Sequence, residues 1–157
     1  MNDLPMSGDQ RAEHWDEAYA SSGVSWFQPT ATTSVELIER LGIPKSGAVI
    51  DIGGGASVLA DALLERGFID ASVLDVSKAA LAEARQRLGT GTSVSLLQQD
   101  LLAWQPLRRY DLWHDRAVFH FLVDPGDREI YLRTLRSALR PRGFVIMATF
   151  ASDGPEY

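Results

Sequence analysis

The stretch Val49-Ile50-Asp51-Ile52-Gly53-Gly54-Gly55-Ala56-Ser57 decides the fold of this chain. A short apolar run leads into three glycines, and a helical pattern follows from Ser57 to Arg66. Short apolar runs are typical of buried parallel strands. Glycines let the backbone approach a ligand closely where a helix begins. The stretch therefore predicts a strand, a glycine turn and a helix, with a ligand site at the carboxyl end of the strand.

Apolar strands and helical patterns alternate along the rest of the chain. We predict strands at Ala48–Ile52, Ala71–Val76, Ser93–Leu97, Tyr110–Trp113 and Phe144–Phe150. We predict helices at Arg11–Ala20, from a cap at Thr33 or Ser34 to Leu41, at Ser57–Arg66, from a cap at Ser77 to Leu88, and at Asp127–Leu139. This alternation is typical of βαβ units, whose right-handed crossovers place helices on both faces of a parallel sheet. We therefore expect a doubly wound α/β fold.

The composition limits the classes of partner and site. The chain has 157 residues, a net charge of −6 and no cysteine. The length predicts one domain. The acidic balance argues against nucleic acid and membrane surfaces as partners, and the lack of cysteine excludes disulfides and thiolate metal sites. The three histidines lack metal-ligand spacing, so we predict no metal. Without a signal peptide or a membrane-length apolar run, we expect a cytoplasmic protein.

Acidic residues mark the ends of three consecutive predicted strands. Asp51 precedes the glycines, Asp75 ends the second strand, and Asp100 follows the third. An acid at the end of the second strand is placed to accept hydrogen bonds from ribose hydroxyls. The position where a dinucleotide fingerprint requires its third glycine is Val58. Three acids suit an adenosine ligand that has no phosphates and carries a positive charge.

Four segments in this order resemble the motifs of class I S-adenosylmethionine-dependent methyltransferases. They are Asp51-Ile52-Gly53-Gly54-Gly55, Val73-Leu74-Asp75-Val76-Ser77, Gln99-Asp100 and Leu139-Arg140-Pro141-Arg142-Gly143-Phe144, the last with Arg142 where the family has glycine. The N-terminal His14–Tyr19 and Val24–Gln28 resemble a subgroup that begins W-D-x-x-Y…W-F-Q. The resemblance implies a Rossmann-like sheet in the order 3-2-1-4-5, binding of S-adenosyl-L-methionine, release of S-adenosyl-L-homocysteine, and methyl transfer to a small-molecule acceptor or, second, a protein side chain.

The resemblance also implies which residues bind the cofactor and which act on the acceptor. The N-terminal aromatics would form a lid over the methyl end, where aromatic faces attract a sulfonium cation. His114 and Asp115, at the exit of the fourth predicted strand, are the candidate catalytic general bases. The predicted cofactor-binding residues are Trp15, Tyr19, Trp26, Asp51, Gly53, Gly54, Gly55, Asp75, Val76, Asp100, Leu101 and His114.

Each of these residues also has a structural alternative. Asp51 and Asp75 are suited to capping helices, Asp100 to a loop, and the aromatic residues to sealing the core. The histidines would then be structural. At the level of function, one alternative is a module that binds S-adenosylmethionine without catalysis. Another is a nicotinamide-dependent reductase, which the valine at position 58 and the lack of a Tyr-x-x-x-Lys pair disfavour.

The organisation predicted for the chain is a single domain, residues 1–157. We expect disorder at 1–10, a helical lid at 11–46 and the Rossmann-like core at 47–157. The chain ends soon after the fifth predicted strand, where related methyltransferases add a helix and an antiparallel strand pair. Exposed apolar strand edges invite pairing with another chain. We therefore expect either a truncated protein or a homodimer through the edge of the fifth strand.

Overall fold

The computed structural model describes residues 7–20, 31–116 and 118–149, with the backbone alone for 18–20. Five parallel strands form one sheet in the order β3-β2-β1-β4-β5. The predicted fold class and strand order are confirmed. The strands are β1 (Val49–Ile52), β2 (Ala71–Asp75), β3 (Ser95–Gln98), β4 (Tyr110–Arg116) and β5 (Leu139–Ala148).

Helices pack around this sheet and connect its strands. They are α1 (Gly8–Ala20), α2 (Thr32–Arg40), α3 (Leu59–Glu65), α4 (Lys78–Leu88) and α5 (Pro125–Ala138), with a 3-10 turn at Phe119–Phe121. The predicted cap of α4 is confirmed, since the Ser77 hydroxyl accepts from the Ala80 amide at 3.0 Å. In the described residues, no helix combines the length and apolar character needed to cross a membrane.

The two faces of the sheet have different cores, because side chains alternate between them along each strand. Val49 and Leu112 pack with α2 and α3 on one face. Ile50 and Trp113 pack with α5 on the other face. This alternation also determines which face of the sheet each polar side chain points to at the carboxyl ends of β1 and β4.

The predicted carboxyl end of β4 and the predicted start of β5 are wrong, and the predicted last residue of β5, Phe150, lies outside the described residues. β4 continues through His114 and Asp115 to Arg116, because it is hydrogen-bonded between two neighbours and pairs Asp51 with His114 in register. β5 begins at Leu139, which we predicted as the last residue of a helix, and its pairing with β4 shifts register between Tyr110 and Leu112. The extra residues bulge out there, as β-strands allow at an irregular pairing.

Candidate active site

The glycine turn after β1 lies against a buried carboxylate. Gly53 has φ +65°, a conformation that favours glycine, and a Cβ on Gly54 would stand 2.2 Å from Asp51 Oδ2. The Asp51 side chain is buried, and Oδ2 has no hydrogen-bond partner among the described residues. A buried carboxylate oxygen without a donor is unfavourable unless a ligand supplies one. The turn therefore presents an unsatisfied acceptor beside a backbone conformation that favours glycine.

The exit of β2 presents a second buried carboxylate, held by backbone amides. Asp75 Oδ2 accepts from the Gly55 amide at 2.9 Å, and Oδ1 accepts from the Ser77 amide at 2.8 Å. Burial raises the pKa of Asp75, and these amides and that of Val76 act in the opposite direction. The negative charge of Asp51 raises it further. Each carboxylate oxygen keeps lone pairs, so Asp75 can still accept hydroxyl donors.

A cavity of about 520 Å³ opens at the exits of β2 and β3. Its walls include Val76, Asp100 and Arg11. Asp100 Oδ2 accepts from Arg11 at 2.6 Å, and Oδ1 accepts from the Leu102 amide at 3.1 Å. The side chain of Leu101 is buried in the core on the α5 face. Val76 therefore lines this cavity, and the Leu101 side chain does not.

Helix α1 crosses the carboxyl edge of the sheet. Beyond the Arg11–Asp100 ion pair, Asp16 accepts from the Ser77 hydroxyl and from the Ala79 amide, at the start of α4. Trp15 contacts Phe121 edge to face, with ring centroids 4.9 Å apart. The helix thus touches the segments that follow β2, β3 and β4.

His114 is joined to two partners within the protein. Its Nδ1 lies 2.7 Å from Asp51 Oδ1, and its Nε2 lies 2.9 Å from the hydroxyl of Ser34, on α2. Asp51, His114 and Ser34 are 4%, 3% and 8% exposed. Both ring nitrogens are therefore engaged inside the protein.

Asp115 points to the opposite face of the sheet, into a second hydrogen-bond network. Its Oδ1 accepts from the Val118 amide at 2.8 Å and its Oδ2 from the Tyr131 hydroxyl at 2.6 Å. The Trp113 indole donates to the same hydroxyl at 2.9 Å. Burial raises the pKa of Asp115 and that of Tyr131. A general base must reach the proton of its acceptor, so these contacts favour positioning roles for Asp115 and His114.

Two predicted lid residues lie outside what the structure describes. The side chain of Tyr19 is not described, and neither is any part of Trp26. The other predicted residues on β1, β2 and the loop after β3 come together at one edge of the sheet, as the parallel topology requires.

Three residues that contact the predicted site were missed by sequence reasoning. Ser34 was considered only as a helix cap, Arg11 only as a helix start, and Asp16 only as part of a motif. Their partners are 80, 89 and 61 residues away along the chain. Only Asp16 had a signal, because it belongs to the W-D-x-x-Y segment.

Comparison with known proteins identifies the family. Residues 50–145 match the family model described as methyltransferase domain. The EEF1A lysine methyltransferase 2 of Danio rerio is 28% identical over 156 residues, which cover 87% of this chain and 67% of that protein. The malonyl-[acyl-carrier protein] O-methyltransferase 2 of Ilyobacter polytropus is 22% identical, over 85% of this chain and 52% of its own length. The chain thus spans about half to two thirds of these relatives.

Solved structures show the same fold. The glycopeptide N-methyltransferase MtfA complexed with S-adenosyl-L-homocysteine is 26% identical, with a TM-score of 0.63 over 86% of this chain and 60% of that one. The DhpI-SAM-HEP complex is 25% identical, with a TM-score of 0.70 over 96% of this chain and 70% of that one. The family model covers most of the sheet, including the glycine turn and the acids at the strand exits. This chain therefore belongs to the methyltransferase domain family, whose cofactor is S-adenosylmethionine.

Proposed function

We propose that this chain binds S-adenosylmethionine at the exits of β1, β2 and β3 and transfers its methyl group to a small-molecule nucleophile. The observation that carries this proposal is the pair of buried carboxylates, Asp51 and Asp75, on either side of the glycine turn. One of them keeps an oxygen without a donor among the described residues. The ammonium group of the cofactor would supply that donor.

The described residues fit the cofactor at both of its ends. Asp75 is held by amides and retains lone pairs for two ribose hydroxyls. Val76 and Asp100 border the cavity where an adenine base would lie, and Leu101 packs in the core directly after Asp100. At the other end, the missing side chain of Gly54 lets the Asp51 carboxylate lie close against the turn, where the methionine portion would bind.

The bound cofactor supplies a methyl group on a positively charged sulfur. The residues of this chain bind and orient it, and Trp15 on the lid helix helps to exclude water from the edge of the sheet. Holding two reactants in line lowers a displacement barrier by about 7–11 kcal/mol. A general-base role for His114 or Asp115 stays a prediction, since the contacts of both side chains support positioning roles better.

The names of the relatives support two classes of acceptor. One relative is named as a lysine methyltransferase of EEF1A, and another as a malonyl-[acyl-carrier protein] O-methyltransferase. A protein lysine amine is therefore the second candidate acceptor for this chain. A lysine acceptor arrives as a cation and must lose a proton before it attacks the methyl group.

Binding and turnover are tested separately. We expect S-adenosylmethionine and S-adenosylhomocysteine to bind by calorimetric titration, and S-adenosylhomocysteine to accumulate when an acceptor panel of alcohols, carboxylates, amines and lysine peptides is supplied. Binding without turnover on any acceptor would favour the non-catalytic module. Absence of binding to either ligand would contradict the proposal.

The homodimer through β5 stays a prediction. The described residues Phe144, Val145 and Met147 of β5 carry half-exposed apolar side chains, and such edges favour pairing with another chain. We expect a two-chain mass by light scattering. A stable monomer at high protein concentration would contradict the dimer.

A further inference from the structure

We infer that His114 and Ser34 are positioning residues for the ammonium group of the cofactor, acting through Asp51. This inference rests on the proposed function. It assigns a role to Ser34 on α2, and it replaces the general-base role of His114 with a different one. The three side chains form a continuous buried line, Ser34 to His114 at 2.9 Å and His114 to Asp51 at 2.7 Å.

The sheet itself brings Asp51 and His114 together. Asp51 on β1 and His114 on β4 are partners in the parallel register, so their side chains leave the same face of adjacent strands. Helix α2 packs on this face, through Val35 and Ile38 in the same core cluster. Packing of α2 therefore determines where the Ser34 hydroxyl meets the imidazole.

The imidazole fixes the orientation of the Asp51 carboxylate. A bond from Nδ1–H to Oδ1 holds one oxygen, and the planar carboxylate then directs Oδ2 toward Gly54. Nε2 lies 2.9 Å from the Ser34 hydroxyl, so the imidazole is held at both ring nitrogens. The carboxylate oxygen Oδ2 is then placed to accept from an ammonium group.

An Asp–His–Ser line also occurs in enzymes with a nucleophilic serine, but the burial here does not suit that chemistry. A nucleophilic serine must meet a substrate carbonyl beside an oxyanion hole. Ser34 is 8% exposed and lies on α2, with its hydroxyl directed to the histidine. The free end of the line is the oxygen of Asp51 and not the serine hydroxyl.

The test compares two ligands that share adenosine and differ at the amino-acid end. S-Adenosylhomocysteine carries the ammonium group, and 5′-methylthioadenosine lacks it. We expect His114→Leu to weaken binding of S-adenosylhomocysteine about tenfold or more, the usual effect of losing a hydrogen bond to a charged group. Binding of 5′-methylthioadenosine by the same variant should change less than twofold. The affinity ratio of the two ligands is the measured quantity.

Two milder variants keep the test decisive if His114→Leu fails to fold. His114→Asn retains an N–H donor close to the position of Nδ1, so it should recover most of the affinity ratio. Ser34→Ala leaves the imidazole in place and should lower the ratio about two- to fivefold, the effect of one neutral hydrogen bond. A Thr33→Ala variant, at the exposed neighbouring position of α2, is the matched control and should leave the ratio unchanged.

The outcomes separate this inference from the proposed function. If wild type binds neither ligand, the proposed function fails and the inference fails with it. If wild type binds both, and the variants lower both affinities equally or neither, the proposed function stands and the positioning role is overturned. A selective loss for the ligand with the ammonium group supports the inference.

Discussion

The two halves of the sheet use buried carboxylates in opposite ways. At the exit of β2, Asp75 is held by backbone amides, keeps lone pairs, and is followed by Val76, which lines the cavity. At β4, Asp115 is bound by an amide and a tyrosine hydroxyl inside the core. Burial raises the pKa of both groups. The difference teaches that burial and a raised pKa do not by themselves mark a binding residue, because what matters is whether a ligand can reach the remaining lone pairs.

Replacement of Asp75 should have the largest effect, and the effect should be on ligand binding. We expect Asp75→Ala to weaken S-adenosylhomocysteine binding about 100-fold, since two hydrogen bonds to a charged acceptor are lost. Calorimetric titration measures it, with circular dichroism to check folding. The matched control is Asp70→Ala, near the amino end of β2, where the carboxylate pairs with Arg108 on the surface. Equal affinity of wild type and Asp75→Ala would exclude Asp75 as the ribose anchor.

Replacement of Tyr131 should affect stability and leave binding nearly intact. Tyr131→Phe removes the hydroxyl that donates to Asp115 and accepts from Trp113, leaving two buried polar groups without this partner. We expect a loss of about 2–3 kcal/mol in the free energy of unfolding, measured by urea denaturation. S-Adenosylhomocysteine affinity should change less than threefold. A large loss of affinity at unchanged stability would show that the β4 network also contacts the ligand.

The pH dependence of S-adenosylhomocysteine binding should also show that Asp75 contacts the ligand. Burial raises the pKa of Asp75 above the ordinary 3.8, and ribose hydroxyls require its ionised form as acceptor. Affinity is therefore complete above the raised pKa and falls as the pH drops through it, by about tenfold per pH unit at the limit. Titrations of wild type and Asp75→Asn across this range give a difference profile with a midpoint above 3.8. A midpoint at or below 3.8 would contradict the prediction.

The smallest expected effect concerns backbone strain on the β5 side. Gly53 in the ligand-side turn and Arg142 on β5 both have positive φ, +65° and +66°. The conformation is unfavourable for arginine and not for glycine. We expect Arg142→Gly to raise the free energy of unfolding by about 0.5–1 kcal/mol, while Arg136→Gly, within α5, lowers it by about 1 kcal/mol. Urea denaturation checks both. A loss of stability in Arg142→Gly would mean that its side chain contributes more than its backbone costs.

Much of the fold was predictable because its signals are local. The apolar run before Gly53, the cap at Ser77 and the alternation of strands with helices predicted a parallel α/β sheet, and the resemblance to class I methyltransferases implied the observed strand order. The carboxyl end of β4 was not predictable in the same way. His114 and Asp115 are polar, and polar residues at the end of an apolar run ordinarily indicate a loop. They continue the strand because β1 and β5 hydrogen-bond to it on both sides.

The sequence by itself determined the parallel α/β sheet, its glycine turn and the acids at the strand exits, because these depend on neighbouring residues and on a fixed periodicity. Only the tertiary structure decided what those acids contact. The partners of Asp51, Asp100 and Asp115 lie on other elements, and Ser34 meets His114 from 80 residues away. Such pairs depend on how helices pack on the sheet, which no short stretch of sequence specifies.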